Sequence, residues 1–179
     1  MLKRRDNAPI VKIVCGGIVK RILDERCVDR ALEFTKIALE ELLNGEYPMD
    51  KFIVSKKLKA YYKNRSSISH VVLADRIAER DPGNKPEVND RVPYIFIRKR
   101  ESEVTVQGDR AESPGYIVEN NLKIDYLYYI QKQIMKPAIQ FLNTLTAKGP
   151  GIFDSVIRQE ENRRNGQKRI DSFFKVMSK

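Results

Sequence analysis

The side chains with chemical reach in this sequence are cations and aromatic rings rather than nucleophiles. Lys3, Arg4 and Arg5 precede an apolar run that begins at Pro9, and Lys56, Lys57, Lys59 and Lys63 alternate with Tyr61 and Tyr62. The stretch 51–65 holds six basic residues and no acidic one, while 31–50 is acidic and 158–179 is basic again. The 179-residue chain carries a net charge of +10 in consequence. Clustered cations attract polyanions, because each neutralised phosphate releases condensed counterions without regard to base sequence. Nucleic acid is the partner this pattern implies, with a merely soluble lysine-rich face as the alternative. Tyr61 and Tyr62 either meet a base or phosphate or pack as a half-buried pair. At the opening run, backbone N–H groups of a helix start also favour phosphate, and Asp6 or Asn7 serves equally as a plain cap.

Covalent chemistry has little to work with. His70 is the one histidine, and it has no cysteine or serine in a recognisable nucleophile motif, which favours a capping or packing role. Cys15 and Cys27 form no C-x-x-C pattern, and two cysteines with one histidine are too few for a zinc site. No catalytic or metal-ligating residue is therefore assigned, and free thiols fit a reducing compartment. Asp75, Arg76, Glu79 and Arg80 have the i,i+3 and i,i+4 spacing of surface pairs on a helix. The glycine-rich phosphate-binding patterns do not occur. Apolar stretches run to a handful of residues, against about 20 for a membrane helix, and no basic-then-apolar leader opens the chain. The expectation is a soluble, unsecreted protein without a membrane partner.

One motif stands apart near the C-terminus. Gln167, Ile170, Phe173 and Phe174 follow Q-x-x-[ILM]-x-x-[FY]-[FY], the pattern of a sliding-clamp-interacting box. One helical turn would gather Ile170, Phe173 and Phe174 into an apolar plug, while Gln167 reaches a separate polar pocket. Two adjacent phenylalanines on a polar segment have no core of their own, so they meet either a partner or the domain surface.

The elements that position these groups read as mainly helical. Pro9 with Ile10, Val11, Val14 and Ile18 predicts a helix over roughly 9–24, in which Gly16-Gly17 signals a close backbone approach. A second helix from about Asp29 buries Leu32, Phe34, Ile37, Ala38, Leu39, Leu42 and Leu43 and stops at Asn44-Gly45. Phe52-Ile53-Val54 is strand-like, and Ser69 caps a helix over 70–80 that halts at Asp81-Pro82-Gly83. Val92 to Ile97 and Val104-Thr105-Val106 suggest a hairpin, with Pro93 on an edge strand. Ser113-Pro114 opens a short helix, and Asp125 caps a longer one that Pro137 kinks. After Gly149-Pro150-Gly151 and Phe153 to Ile157, the run 158–166 is polar enough for a flexible linker.

KRRDNAPIVK at 3–12, FIVSKKLK at 52–59, HVVLADRIAERDPGNKPEVNDRVPYIFI at 70–97 and IDYLYYIQKQIMKPAIQFL at 124–142 resemble, in unbroken order over about 1–145, the end of the palm and the thumb of a family B DNA polymerase. The similarity is greatest to the delta-type branch and to replicative polymerases of large DNA viruses. The resemblance implies an α+β, mainly α-helical thumb with a small β element and a flexible C-terminal tail. Residues 1–8 would end the palm, 9–157 would form the thumb, and 158–179 would be the tail with the clamp motif.

By the same resemblance Lys3, Arg4, Arg5 and Asn7 grip primer–template at the palm–thumb junction. Lys56, Lys57, Lys59, Tyr61, Lys63 and Arg91 then support the duplex behind the active site. Asn89 stands where relatives often have glycine, at a turn whose left-handed backbone asparagine tolerates. The motifs that hold the family's two catalytic metals, D-x-x-S-L-Y-P and Y-G-D-T-D, do not occur, nor does the K-K-x-Y run before the thumb. The chain by itself is thus expected to be inactive, with Mg2+ in the palm of the complete polymerase and no cofactor of its own. The implied partners are double-stranded primer–template DNA, a sliding clamp and the remaining palm, fingers and exonuclease. The implied setting is intracellular: nucleus, cytoplasm or the viral factory of an infected host. A stand-alone, non-catalytic DNA-binding adaptor recruited to the clamp is the competing reading.

Overall fold

A computed structural model describes residues 6–99, 106–144, 146 and 148–177, with side chains as far as Gly166 in the last helix. Two compact units divide the chain. One comprises residues 1–13 and 48–129, the other 14–47 and 130–179.

The first unit is built on a three-stranded antiparallel sheet. β1 (Val54–Lys57) pairs with β2 (Arg91–Phe96), and β2 pairs with β3 (Ala111–Glu112), in the order β1-β2-β3. The register sets Val54 opposite Tyr94 and Lys57 opposite Arg91 on one side, and Phe96 opposite Ala111 on the other. β2 is therefore the central strand, not the edge strand that Pro93 suggested. Proline is tolerated because, among the described residues, β1 flanks residues 91–94 and β3 flanks 95–96, so Pro93 has a described strand neighbour on one side alone. Ala111–Glu112 pairs with the end of β2, while Val104 and Thr105 of the expected second hairpin strand lie outside the described residues.

Helix α3 (Ser69–Arg80) packs on this sheet with Val71, Leu73 and Ala74 buried. Ser69 is its first residue rather than its cap; Ile68 holds the cap position, and its carbonyl accepts from the N–H groups of Val71 and Val72. Arg76 and Arg80 do not pair along α3 either. Both reach the carboxylate of Glu112, at 2.9 and 3.0 Å, and Arg76 also donates to the carbonyl of Gly108 at 2.9 Å. Glu112 is 1% exposed, so removing one arginine would leave a buried charge underpaired, a change that typically costs about 3–5 kcal/mol. α4 (Pro114–Glu119) starts as expected: Pro114 occupies the first turn and the Ser113 hydroxyl accepts from the Tyr116 N–H. Asp125 likewise accepts from the Tyr128 N–H at the start of α5 (Tyr126–Tyr129).

Tyr129 ties the sheet to the segment before it. Its ring is fully buried against Phe52 and Phe96, and its hydroxyl donates to the Phe52 carbonyl at 2.6 Å while accepting from the Phe96 N–H at 3.0 Å. Without that hydroxyl two buried backbone groups lose their partner.

In the second unit, α1 (Pro9–Leu23) contributes its residues from Val14 onward and buries Val14, Cys15 and Ile18. Burial pushes the Cys15 thiol up to about 11, which leaves almost no nucleophilic thiolate at neutral pH. α2 (Val28–Asn44) ends at Gly45, whose φ of 77° is the left-handed cap that glycine takes without strain. Its buried stripe is Ala31, Thr35, Ala38, Leu39 and Leu42, whereas Ile37 is 46% exposed. Thr35 rides in that stripe because its hydroxyl donates to the Ala31 carbonyl one turn earlier. The close approach signalled by Gly16-Gly17 falls on Gly17 alone: a Cβ there would lie 2.3 Å from the Phe34 ring, and one at Gly16 would meet nothing. Arg21 joins this contact, 3.8 Å over the Phe34 ring and donating to the Gly17 carbonyl.

A π-helical turn (Ile130–Ile134) precedes α6 (Met135–Leu142). The widened turn falls just before Pro137, where the missing N–H and the ring disfavour regular α-helical bonding. α7 (Gly149–Met177) takes Pro150 in its first turn and buries Phe153 and Val156. The residues 158–166, expected as a linker, are helical. Glu160, 5% exposed, holds Arg163 at 2.6 Å and Arg164 at 2.8 Å across one turn, so charge pairing supplies what an apolar stripe would elsewhere. Gln167, Ile170, Phe173 and Phe174 lie in the stretch whose side chains are outside the described residues.

Replacing Tyr129 by phenylalanine should lower the unfolding free energy by about 2–4 kcal/mol, the cost of two unpaired buried backbone groups. Urea denaturation of the whole chain checks it, and a loss under about 0.5 kcal/mol would contradict the bridging role.

Candidate nucleic-acid interface

The β1–β2 ladder sorts its side chains by alternation. Val54, Val92 and Tyr94 point inward, while Lys57, Arg91 and Pro93 are exposed. Because Lys57 and Arg91 are directly opposite in the antiparallel register, two like charges share the outer face of the sheet. Such a pair is destabilising by itself, and an anionic partner relieves it. The guanidinium of Arg91 is partly held in place: its Nε donates to the Ser55 hydroxyl at 3.1 Å, its Nη2 to the Ser55 carbonyl, and Asp6 lies 3.8 Å away. Ser55 has no signal of its own in the sequence, and Asp6 reads there only as a plain helix cap. Period-2 alternation puts Ser55 on the face of Lys57, but only the register brings Arg91 to it.

Beyond β1 the chain continues alongside β2. The Leu58 N–H donates to Asp90 and the Asn89 N–H to Leu58, with Asn89 at φ 79°, the left-handed conformation expected of it. The following loop carries Lys59, Tyr61 and Lys63, all exposed. Of the remaining cations of 51–65, Lys51 pairs with Asp50 and Arg65 with Asp75. Among the described residues no carboxylate pairs with Lys56, Lys57, Lys59 or Lys63.

The two tyrosines, indistinguishable by sequence, part company. Tyr61 is 79% exposed. Tyr62 turns inward, where its hydroxyl accepts from the Lys59 N–H at 2.7 Å and stands 3.3 Å from the Lys57 carbonyl and 3.1 Å from Nε2 of His70. His70, the first-turn histidine of α3, is buried between Tyr62 and Tyr94. It is a packing residue, as expected. Burial foremost, with the charge of Lys56 behind it, holds its pKa below the ordinary 6.5, against weaker opposing pulls from the Lys57 carbonyl and Asp6. Burial likewise drives the phenol of Tyr94 far above its usual range.

Of the candidate residues, Lys56, Lys57, Lys59, Tyr61, Lys63 and Arg91 thus fall on the antiparallel pair β1–β2 and the segment that follows β1, with Lys56 half-buried near His70 and the rest exposed. Asn7 is half-buried just before α1. Lys3, Arg4 and Arg5 lie outside the described residues. No group of three or more His, Cys, Asp or Glu side chains among the described residues is placed to hold a metal, and no described helix is long and apolar enough to cross a membrane.

These features define an α+β module with one cation-rich, acid-poor face. The model of DNA polymerase family B matches residues 1–145, and the chain belongs to that family. It is 53% identical to the DNA polymerase of Acanthamoeba polyphaga mimivirus over 97% of this chain and 10% of that protein. With the DNA polymerase delta catalytic subunit of Schizosaccharomyces pombe it shares 35% identity, over 79% of this chain and 13% of the relative. The family B DNA polymerase structure from the hyperthermophilic archaeon Pyrobaculum calidifontis superimposes with a TM-score of 0.64 at 25% identity, covering 80% of this chain and 18% of that one. The chain therefore spans about a tenth of the length of the curated relatives it matches.

Since the native His70 binds its proton more weakly than the unfolded chain does, stability should rise with pH through the window that ends near 6.5. A melting temperature climbing from about pH 5 to about pH 7, and flattened in His70→Gln, is the expected profile. A His70→Gln profile as steep as the parent's would assign the slope to other groups.

Proposed function

We propose that this chain is the thumb portion of a replicative DNA-directed DNA polymerase of the viral and delta-like type, holding primer–template duplex by its backbone. The observation that carries the reading is the antiparallel pair β1–β2 with the segment after β1, where Lys57 and Arg91 face each other and four lysines lack carboxylate partners among the described residues. A surface that repels itself is stabilised by a polyanion, and in this family the polyanion is the DNA. Residues 1–8 would close the palm, 9–157 form the thumb, and 158–179 carry the tether. Lys3, Arg4, Arg5 and Asn7 would add phosphate contacts at the junction. Chemistry falls to the palm of the complete enzyme, with its Mg2+, because the sequence lacks the aspartate motifs that hold the two metals. Replication by such an enzyme belongs inside a cell.

Gln167, Ile170, Phe173 and Phe174 would dock on a sliding clamp, turning rebinding after dissociation into an intramolecular event at high effective concentration. The helical backbone as far as Met177 supports the reading, since the i, i+3, i+4 spacing of Ile170, Phe173 and Phe174 is that of one helical face.

Binding to duplex DNA should be independent of base sequence and steeply salt-dependent, log K falling by about 0.9 per phosphate for roughly four to six phosphates. Arg4→Ala with Arg5→Ala should flatten the slope by about one to two units in anisotropy titrations. A salt-insensitive interaction would overturn the grip.

The tether is tested separately by calorimetry of the chain against the cognate clamp. Phe173→Ala with Phe174→Ala should remove roughly 3–6 kcal/mol, more than a hundredfold in affinity, and Gln167→Ala about 1 kcal/mol. Unchanged clamp affinity together with a lower melting temperature would instead place the phenylalanines on the domain itself.

A further inference from the structure

Among the exposed large apolar side chains of the described residues, Tyr61 is the most exposed. Its surroundings make that exposure a built feature rather than a loose end. The adjacent Tyr62 is pinned by its hydroxyl to the Lys59 N–H and stands beside the Lys57 carbonyl and His70, which closes the loop from within. Tyr61, next in the chain and free of that anchor, is carried outward between the exposed Lys59 and Lys63. An aromatic ring held in water amid unpaired cations has two chemistries open to it: its hydroxyl can reach phosphate, or its face can stack on a nucleobase.

Stacking needs a bare base face. In an uninterrupted duplex each base is covered above and below by its neighbours, so a ring held beside the phosphates finds none. A base turned out of the helix offers one. Resting on the DNA grip proposed above, we propose that Tyr61 is a specificity-determining residue that stacks on an extrahelical or unstacked base, so that the loop favours duplex whose base stack is interrupted over duplex that is fully paired. Lys57, Lys59 and Lys63 bring the backbone to the loop alike in both cases, and the ring adds affinity only where a base has left the stack.

The test uses the full 179-residue chain and two duplexes closed at both ends by non-nucleotide linkers, one fully paired and one carrying a single extrahelical adenine. Anisotropy titrations at several salt concentrations should show the bulged duplex bound about fivefold to a hundredfold more tightly, the range that base–aromatic stacking supplies. Tyr61→Ala should bring the two affinities together, and Tyr61→Phe should keep the preference because the ring remains. Equal binding of both duplexes by the parent chain, a preference that survives Tyr61→Ala, or one lost in Tyr61→Phe would overturn the stacking role alone. Absence of salt-dependent binding to either duplex would overturn the grip and this role with it.

Discussion

The hydroxyl of Tyr129 is the point on which the sheet-bearing unit turns. A buried N–H and a buried carbonyl, on Phe96 and Phe52, would otherwise face an apolar interior, and one phenol satisfies both. Satisfying them fixes the distance between β2 and the turn of Met49–Phe52 that feeds β1. From there the rings of Phe96, Tyr94, His70 and Tyr62 follow in contact, and the last hands the constraint to the loop that carries Lys59, Tyr61 and Lys63. The cationic surface is thus positioned from within by packing, not by pairing with acids.

Charge is treated in opposite ways at two places on this sheet. At β3, Glu112 is buried and doubly paired with Arg76 and Arg80, and Arg80 also lies 3.8 Å over the Tyr116 ring. These arginines hold structure. On the β1–β2 ladder, Lys57 and Arg91 oppose each other with Asp6 as the one carboxylate nearby among the described residues, an arrangement that stability alone would not favour. The same residue type therefore serves as a strut in one place and as an open contact in another, and the difference is the presence of a buried carboxylate.

The helical unit shows a comparable economy. α7 lacks a continuous apolar stripe, yet Glu160 grips Arg163 and Arg164 one turn on, and Gln131 reaches Glu161 at 3.1 Å. Thr35 and Gly17 let α1 and α2 carry a hydroxyl and a bare backbone within packed positions, each satisfied or filled by a neighbour.

What the residues determined by themselves is whatever depends on a few adjacent positions. Pro9 and Pro114 can start helices because their rings preset φ, Gly45 ends one in a left-handed cap, and Asn89 takes φ 79° at the turn before β2. The charge blocks, which implied a polyanionic partner, needed no structure either, nor did the DRVPY segment, which carried the family resemblance with the other quoted stretches. Tertiary structure alone decided that Ala111–Glu112 pairs with β2, that Arg76 and Arg80 turn to Glu112 instead of along their own helix, and that polar 158–166 is helical. It also decided which of two neighbouring tyrosines faces water. The reason is the range of the forces involved. Backbone sterics and capping act within a turn, whereas register, burial and ion pairing compare residues tens of positions apart, whose proximity exists only once the chain has folded.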